Sequence, residues 1–176
     1  MPETCSLPGN RAPDTRPVQA TTAQSGAAVS GAENAYSALL ARARAERRLL
    51  AVHWELTQRC NERCTHCYLP VRPPYPVPSG ELTTAECLDV LAQLAGLGAL
   101  YLTFSGGEAL VRQDFFTLAE AARALRFALR IFSNGLAITP ASADRIAALH
   151  PLAVEISIYG ADAATHDAIT RRPGSW

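Results

Sequence analysis

The sequence predicts an α/β fold in which parallel strands alternate with helices. After residue 48, short apolar runs follow one another at intervals, and the intervals carry helical patterns of apolar residues. The chain has 176 residues, and 48% of them are hydrophobic, which suits one main core rather than two complete enzyme domains. We therefore expect a single sheet with helices packed against it.

Charge and hydropathy exclude several classes of protein. Sixteen Lys and Arg residues balance sixteen Asp and Glu residues, unlike the composition of a chain that binds nucleic acid through charge. No apolar run reaches the roughly 18–20 residues of a membrane span, and the N-terminus lacks the basic and then apolar order of a signal peptide. We expect a cytoplasmic protein with neither a nucleic acid nor a membrane as partner.

The first residues of the chain form no pattern that would build a core. Residues 1–32 contain four prolines among small and polar residues and no Ile, Phe, Tyr or Trp, which predicts a disordered tail. An import presequence is the alternative, because acidic residues are scarce, but no amphipathic helix bearing arginines is evident there. Residues 33–48 combine Tyr36, Leu39 and Leu40 with a run of arginines, which predicts a leading amphipathic helix with a solvated basic face.

Strand and helix signals then follow in order along the chain. A proline-rich stretch at residues 70–78 cannot be regular structure, and Thr83 and Glu86 after it have the spacing of a capping box. Asp114 is the expected cap of a second helix that ends near residue 127, and Thr139-Pro140 opens a third. A fourth helix is expected only to begin before residue 176. The predicted strands are residues 49–57, 99–104, 128–132 and 152–158.

Three of the five cysteines lie close together directly after the first predicted strand. Cys60, Cys64 and Cys67 have the spacing C-x3-C-x2-C, in which three thiolates can each bind one iron of a 4Fe-4S cube and leave the fourth iron open. The alternative is structural zinc, which needs a fourth ligand such as Cys87. Cys87, however, lies on the apolar face of a predicted helix, where it is expected to pack as a small core residue.

Each of the other unusual motifs also follows a predicted strand. Gly106-Gly107-Glu108 follows the second strand, Ser133-Asn134-Gly135 the third, and residues 157–160 the end of the fourth. Because the loops at the carboxyl ends of parallel strands build active sites, we expect all four motifs to face one cleft. A turn would also explain the two glycines, and the end of a strand would explain the serine and the asparagine.

Together these motifs resemble the radical S-adenosylmethionine (radical SAM) superfamily over residues 49–176. The resemblance is carried by the three-cysteine spacing followed by Tyr68 and by the Ser-Gly-Gly-Glu motif at residues 105–108. It implies a partial parallel (β/α) barrel with about four of the family's six strand-helix units. It also implies that residues 49–176 are the N-terminal part of a radical SAM core domain, in which the three cysteines hold a 4Fe-4S cluster and SAM binds at its open iron.

The resemblance also implies roles for individual residues. Glu108, with the neighbouring backbone, is expected to receive the amino group of SAM, and Ser157 is expected to lie near its ribose. Arg171 is similar to an arginine that approaches the SAM carboxylate, with Arg172 equally available, and His66 is expected near adenine. The remaining expected cofactor contacts are Tyr68, Gly106, Gly107, Ser133 and Asn134.

Within the superfamily, Asn61, the Cys67-Tyr68 pair, residues 157–160 and His166-Asp167 are similar to the peptide-modifying branch with cysteine-rich C-terminal extensions. This implies reductive cleavage of SAM to a 5'-deoxyadenosyl radical and hydrogen abstraction from a peptide or protein. A tetrapyrrole or other small metabolite is the alternative substrate, and a non-catalytic metal-binding module is the alternative to an enzyme.

The same resemblance implies partners for the chain. One is an electron donor such as a flavodoxin or ferredoxin. Only four strands are counted, and no cysteine follows Cys87. We therefore expect a truncated or split enzyme that does not turn over alone. The alternative is that a second polypeptide or self-association completes the barrel.

Overall fold

The computed structural model of the chain describes residues 30–176, with side chains from Ala35 onward. Contacts divide the chain into two units, Met1–Ala38 and Leu39–Trp176. The first unit contributes only the start of one helix to the described residues, and the features below belong to the second. The expected disordered tail at residues 1–32 lies outside the described residues except for residues 30–32, which are helical. No helix within residues 30–176 has the length and apolarity needed to cross a membrane.

Four parallel strands alternate with helices, which confirms the predicted α/β fold class. The strands are β1 (Ala51–Glu55), β2 (Tyr101–Ser105), β3 (Ala128–Ser133) and β4 (Ala153–Ile156). They lie side by side in sequence order, and every pairing is parallel, so their carboxyl ends share one edge of the sheet. The helices are α1 (Ser30–Ala45), α2 (Thr84–Gly96), α3 (Phe115–Ala124), α4 (Pro140–Ala148) and α5 (Ala163–Thr170), with a 3-10 helix at Ala109–Val111.

Two helices end earlier than the sequence predicts because the chain turns through a left-handed residue. α1 ends before Arg47, which has a φ of 50°, and the following Arg48 N–H donates to Ala43 O at 2.8 Å. α3 ends in the same way before Arg126, which has a φ of 68°. Such turns satisfy the last carbonyl groups of a helix. Glycine at these positions would have indicated the turns, whereas arginine does not.

The helix starts are better predicted. Thr83 caps α2, and Thr139 caps α4, each through a capping box. Asp114 stands at the N-cap of α3 but makes no capping bond, because its carboxylate instead binds Arg112. The fourth predicted helix, expected only to begin, is a complete two-turn helix, α5, capped by Asp162.

One face of the sheet carries the core. Side chains alternate along a strand, so Leu102, Phe104, Leu129 and Ile131 all face α2 and α3, and each is fully buried. Burial of each such side chain contributes about 1.5–3 kcal/mol before entropy is counted. The opposite face carries the exposed His53 and Arg130 and the half-buried Thr103 and Phe132. That second face is therefore open toward the edge at which the loops meet.

Candidate cofactor-binding site

The loops that follow the four strands meet around a cavity of about 280 Å³. Its wall combines thiols, aromatic rings and small polar groups at the carboxyl edge of the sheet. Glu108 and Arg171, although expected in the site, are not in this wall. The expected site residues that do line the cavity are Cys60, Cys64, His66, Cys67, Tyr68, Gly106, Gly107, Ser133, Asn134 and Ser157.

The cysteine loop is anchored on the end of α5. Arg63 N–H donates to Thr170 O at 3.2 Å, and Thr65 N–H donates to Ile169 O at 2.8 Å. The two carbonyl groups belong to the last turn of the helix, where acceptors have no partner within the helix itself. Cys64 lies between the two donors in sequence, so this anchor fixes its position in the cavity wall.

Burial controls the protonation of the Cys60 and Cys64 thiols. Desolvation raises the pKa of Cys60 to about 11. Desolvation, with a further contribution from the neighbouring Glu62 carboxylate, raises the pKa of Cys64 to about 12. Both thiols therefore keep their protons at neutral pH in the metal-free chain, and binding of a metal to them releases protons.

Arg59, directly before the first cysteine of the loop, is held in a buried ion network. Its Nε and Nη2 donate to the two oxygens of Glu81, both at 2.9 Å, and its Nη1 donates to Pro74 O at 3.0 Å. Glu81 also accepts from Arg112 Nη1 at 3.0 Å, and Arg112 forms two further bonds to Asp114. Both arginine side chains are only 4% exposed, so these carboxylates compensate their charges. The network ties the cysteine loop to the proline-rich segment and to the turn after β2.

Gly106 and Gly107 allow the loop after β2 to approach the cysteine loop closely. Gly107 N–H donates to Thr57 O at 2.8 Å, and a Cβ at Gly107 would overlap Arg59 O. Gly106 has a φ of 134°, which L side chains rarely adopt, and a Cβ there would overlap Thr57 O. A simple turn does not require such contacts, so glycine is needed here because two loops pack backbone against backbone.

Glu108 lies behind the cavity wall. The residue is 1% exposed, and its carboxylate accepts hydrogen bonds from Leu110 N–H at 3.0 Å, Ser133 Oγ at 3.0 Å and Asn134 N–H at 2.7 Å. Burial raises the pKa of Glu108, and these hydrogen bonds oppose the shift. Both oxygens are thus engaged inside the protein. Glu108 therefore links the loops after β2 and β3. Its expected contact with the amino group of SAM stays a prediction.

Asn134 connects the loop after β3 to the cysteine loop. Its Nδ2 donates to Asn61 Oδ1 at 2.7 Å and lies 3.9 Å from Cys60 Sγ. Its Oδ1 accepts the Leu136 N–H at 3.1 Å. The alternative in which Asn134 merely ends a strand does not account for these side-chain contacts between separate loops.

The other expected contacts lie at the rim. Tyr68 is exposed, and its hydroxyl donates to Glu55 Oε1 at 2.6 Å. Arg171 ends α5 with a φ of 55°, and its side chain is exposed. Arg172 instead donates from Nη1 to Asn61 O at 2.6 Å. Of the two arginines that the sequence left open, the structure places Arg172 against the cysteine loop.

Sequence reasoning missed several residues of the cavity wall. Glu62 is 4% exposed, and its Oε1 is the one buried side-chain oxygen or nitrogen without a hydrogen-bond partner in the described part of the chain. His53 and Phe132 also line the cavity and contact each other edge to face, with ring centroids 5.5 Å apart. The alternation of side chains along β1 and β3 could have indicated those two rings. Nothing in the sequence indicated that a glutamate between two cysteines is buried.

Cys87 does not join the other cysteines. Its side chain lies in the core, and its Sγ accepts a hydrogen bond from Arg112 Nη2 at 3.7 Å. Within residues 30–176, no three His, Cys, Asp or Glu side chains converge closely enough to hold a single metal ion. The geometry therefore does not support a zinc site with Cys87 as fourth ligand. A cluster in which each thiolate binds a different iron does not need that convergence.

Curated relatives cover most of this chain but only part of their own length. Mycofactocin maturase MftC of Mycobacterium tuberculosis is 39% identical over 127 residues, which cover 72% of this chain and 32% of the relative. AdoMet-dependent heme synthase of Methanosarcina barkeri is 36% identical over 129 residues, or 73% of this chain and 36% of that protein. Pre-heme d1 synthase of Dinoroseobacter shibae is 43% identical over 117 residues, which cover 66% of this chain and 28% of that protein. The chain thus spans about a third of the length of these relatives.

Solved structures share the fold. Streptococcus suis SuiB bound to precursor peptide SuiA matches with a TM-score of 0.61 at 18% identity, covering 80% of this chain and 32% of that chain. SuiB bound to S-adenosylmethionine matches with a TM-score of 0.58 at 19% identity, covering 80% of this chain and 31% of that chain. The sequence profile of the Radical SAM superfamily matches residues 54–176, from β1 through α5. Because this match spans most of the chain and includes the cysteine loop, the chain belongs to the radical SAM superfamily.

Proposed function

We propose that Cys60, Cys64 and Cys67 bind a 4Fe-4S cluster and that the adjoining cavity binds SAM. The observation that carries the proposal is the position of all three thiols in the wall of one cavity. When bound, the two groups supply one-electron cleavage of a SAM carbon-sulfur bond, giving methionine and a 5'-deoxyadenosyl radical that abstracts hydrogen from a substrate. The task of the chain is to hold both groups in place and to keep water away from the reacting atoms.

The residues of the cavity wall fit these two groups. Clustered thiolates are the usual protein ligands of iron-sulfur clusters. The amino group and hydroxyl groups of SAM need acceptors, which the wall offers at Ser157 and Asn134. Arg172, which contacts Asn61 in the cysteine loop, is a cation available to the SAM carboxylate in place of Arg171.

Anaerobic reconstitution with iron and sulfide tests this proposal. The reduced protein should give the electron paramagnetic resonance signal of a 4Fe-4S cluster. Addition of SAM should change that signal, because three cysteines leave one iron open to a further ligand. A colourless protein that holds one tightly bound zinc and does not respond to SAM would overturn the proposal.

We infer a peptide or protein as the substrate. The supports are the sequence similarity to mycofactocin maturase MftC and the likeness in fold to SuiB, whose structure contains a precursor peptide. In addition, the open face of the sheet presents polar groups, including Arg130, which lies 3.4 Å from Glu155 of the next strand. Mass spectrometry of short peptides encoded beside the gene, after incubation with the reconstituted protein and SAM, should show a modified peptide.

A tetrapyrrole is the second candidate substrate. It is favoured by the similarity to AdoMet-dependent heme synthase and to pre-heme d1 synthase, at 36% and 43% identity. Titration with protoporphyrin IX separates the two candidates. Saturable binding that shifts the porphyrin absorbance would favour the tetrapyrrole, and modification of a peptide without porphyrin binding would favour the first candidate.

The proposal includes an electron donor such as a flavodoxin or ferredoxin, a cytoplasmic location where thiols stay reduced, and a second polypeptide that completes the barrel. The second polypeptide is supported by β4, the last strand of the sheet, where Val154 and Ile156 are 38% and 43% exposed. A cavity of about 550 Å³ lies beside this strand. A polypeptide that pairs with β4 would cover the edge. Efficient production of 5'-deoxyadenosine by the reconstituted chain as a monomer would contradict this part of the proposal.

A further inference from the structure

We propose that the side-chain amide of Asn134 donates a hydrogen bond to the sulfur of Cys60 and thereby raises the reduction potential of the cluster bound there. The inference rests on the proposed function, because it concerns the same three-cysteine site. Asn134 is thus a positioning residue that acts on the cluster through a cysteine ligand.

The orientation of the Asn134 amide is fixed by its partners. The oxygen and nitrogen of an asparagine side chain have nearly the same shape, so hydrogen bonds must decide which is which. One of the two atoms receives the Leu136 backbone N–H at 3.1 Å, and only the oxygen can accept it. The nitrogen therefore faces Asn61 Oδ1 at 2.7 Å and Cys60 Sγ at 3.9 Å. Asn61 Oδ1 and Cys60 Sγ are two of the acceptors that its hydrogens reach, and the Glu62 carboxylate is a third.

The backbone of Asn134 is held as firmly as its side chain. Its N–H donates to Glu108 Oε2 at 2.7 Å, and the next N–H along the chain, that of Gly135, donates to Ser133 Oγ at 2.9 Å. Glu108 is itself buried and bonded on both oxygens. The amide nitrogen is consequently directed at the cysteine loop before any metal binds.

Hydrogen-bond donors surround the sulfur of Cys60, whereas a negatively charged carboxylate lies beside the sulfur of Cys64. Cys60 Sγ accepts the Glu62 backbone N–H at 3.4 Å in addition to facing Asn134. Cys64 Sγ instead lies 3.6 Å from the carboxylate oxygen Oε2 of Glu62. Hydrogen bonds to cysteine sulfur are one of the factors that set the potential of an iron-sulfur cluster, since a reduced cluster carries one more negative charge. The N–H donors around Cys60 therefore favour the reduced state.

A redox titration of the reconstituted protein without SAM tests the inference. Asn134→Ala removes the donor but keeps the backbone N–H bond to Glu108, so the midpoint potential should become more negative at unchanged iron content. Asn134→Asp keeps an acceptor for Leu136 N–H and replaces the donor with a negatively charged oxygen, so its shift should be larger in the same direction. Leu136→Ala is the matched control, because it keeps the backbone N–H that orients Asn134, and its potential should equal that of the unmodified chain.

The outcomes distinguish failure of this inference from failure of the proposed cluster binding. Equal potentials in the unmodified chain and both Asn134 variants would overturn the inference and leave the cluster assignment intact. Loss of the cluster from both variants would also count against it, since a residue that tunes the cluster leaves it assembled. An unmodified chain that takes up no cluster would overturn the proposed function itself.

Discussion

The Glu108 carboxylate accepts the backbone N–H of Asn134 at 2.7 Å, which joins the loop after β2 to the loop after β3. Because the same carboxylate serves Ser133 and Leu110, one buried side chain positions two of the four loops around the cavity. Sequence motifs that lie 26 residues apart therefore act as one structural unit.

We expect Glu108→Gln to destabilise the metal-free chain by about 1–3 kcal/mol, because an amide NH2 would face the Asn134 or Ser133 donor and leave it unpaired. Urea denaturation followed by circular dichroism measures the change. Glu120→Gln is the control, since Glu120 is exposed on α3, and it should change the free energy of unfolding by less than about 0.5 kcal/mol. Equal stability of the two variants would contradict the linking role.

Asp114 should make stability depend on pH in the acid range. The hydrogen bonds from Arg112, followed by the one from Thr84, hold the pKa of Asp114 below its ordinary value of 3.8. A carboxylate with a lowered folded pKa stabilises the folded state above its unfolded pKa, and this contribution is lost as the pH falls through the folded pKa. We therefore expect the free energy of unfolding to decline as the pH falls below 3.8. Asp114→Asn should flatten that part of the profile, whereas Asp144→Asn on the exposed face of α4 should not.

The order of elements could be predicted from the sequence, but the partners of the polar residues could not. Apolar runs and the Thr83 capping box predicted the parallel sheet and the start of α2 because both signals are local. The contact between Arg59 and Glu81 joins residues 22 positions apart, and no local pattern indicates it. The hydrogen-bond partners of Glu108 could not be predicted from a local pattern either. Its motif marked it as part of the site, but only the structure shows that its oxygens face inward toward Ser133 and Asn134.

Gly107 should tolerate no side chain. A Cβ at this position would overlap backbone atoms of Arg59, and backbone cannot move aside as the end of a flexible side chain can. We expect Gly107→Ala to destabilise the chain by about 1–3 kcal/mol. Gly96→Ala, at the end of α2 with no atom within 4 Å of the added Cβ, is the matched change and should be neutral or stabilise by about 0.5–1 kcal/mol. Thermal unfolding of the two variants measures the difference, and a similar loss in both would contradict the steric argument.

The three loop cysteines should be needed for cluster uptake, and Cys87 should not. Cys60→Ala, Cys64→Ala and Cys67→Ala should each lose most iron and sulfide after reconstitution, because each removes the ligand of one iron. Cys87→Ala should retain both and lose only stability, since Cys87 packs in the core beneath Arg112. Iron and sulfide per chain are measured together with visible absorbance.

Cys67 gives the sharpest comparison in this series. Its side chain is exposed, so Cys67→Ala should change the stability of the metal-free chain by less than about 0.5 kcal/mol. Loss of iron from a variant that unfolds like the unmodified chain can only reflect loss of a ligand. Cys87→Ala should give the opposite pairing, with lower stability of the metal-free chain and full iron content. Iron loss in Cys87→Ala equal to that in Cys67→Ala would therefore overturn the assignment of the three loop cysteines as the complete protein ligand set.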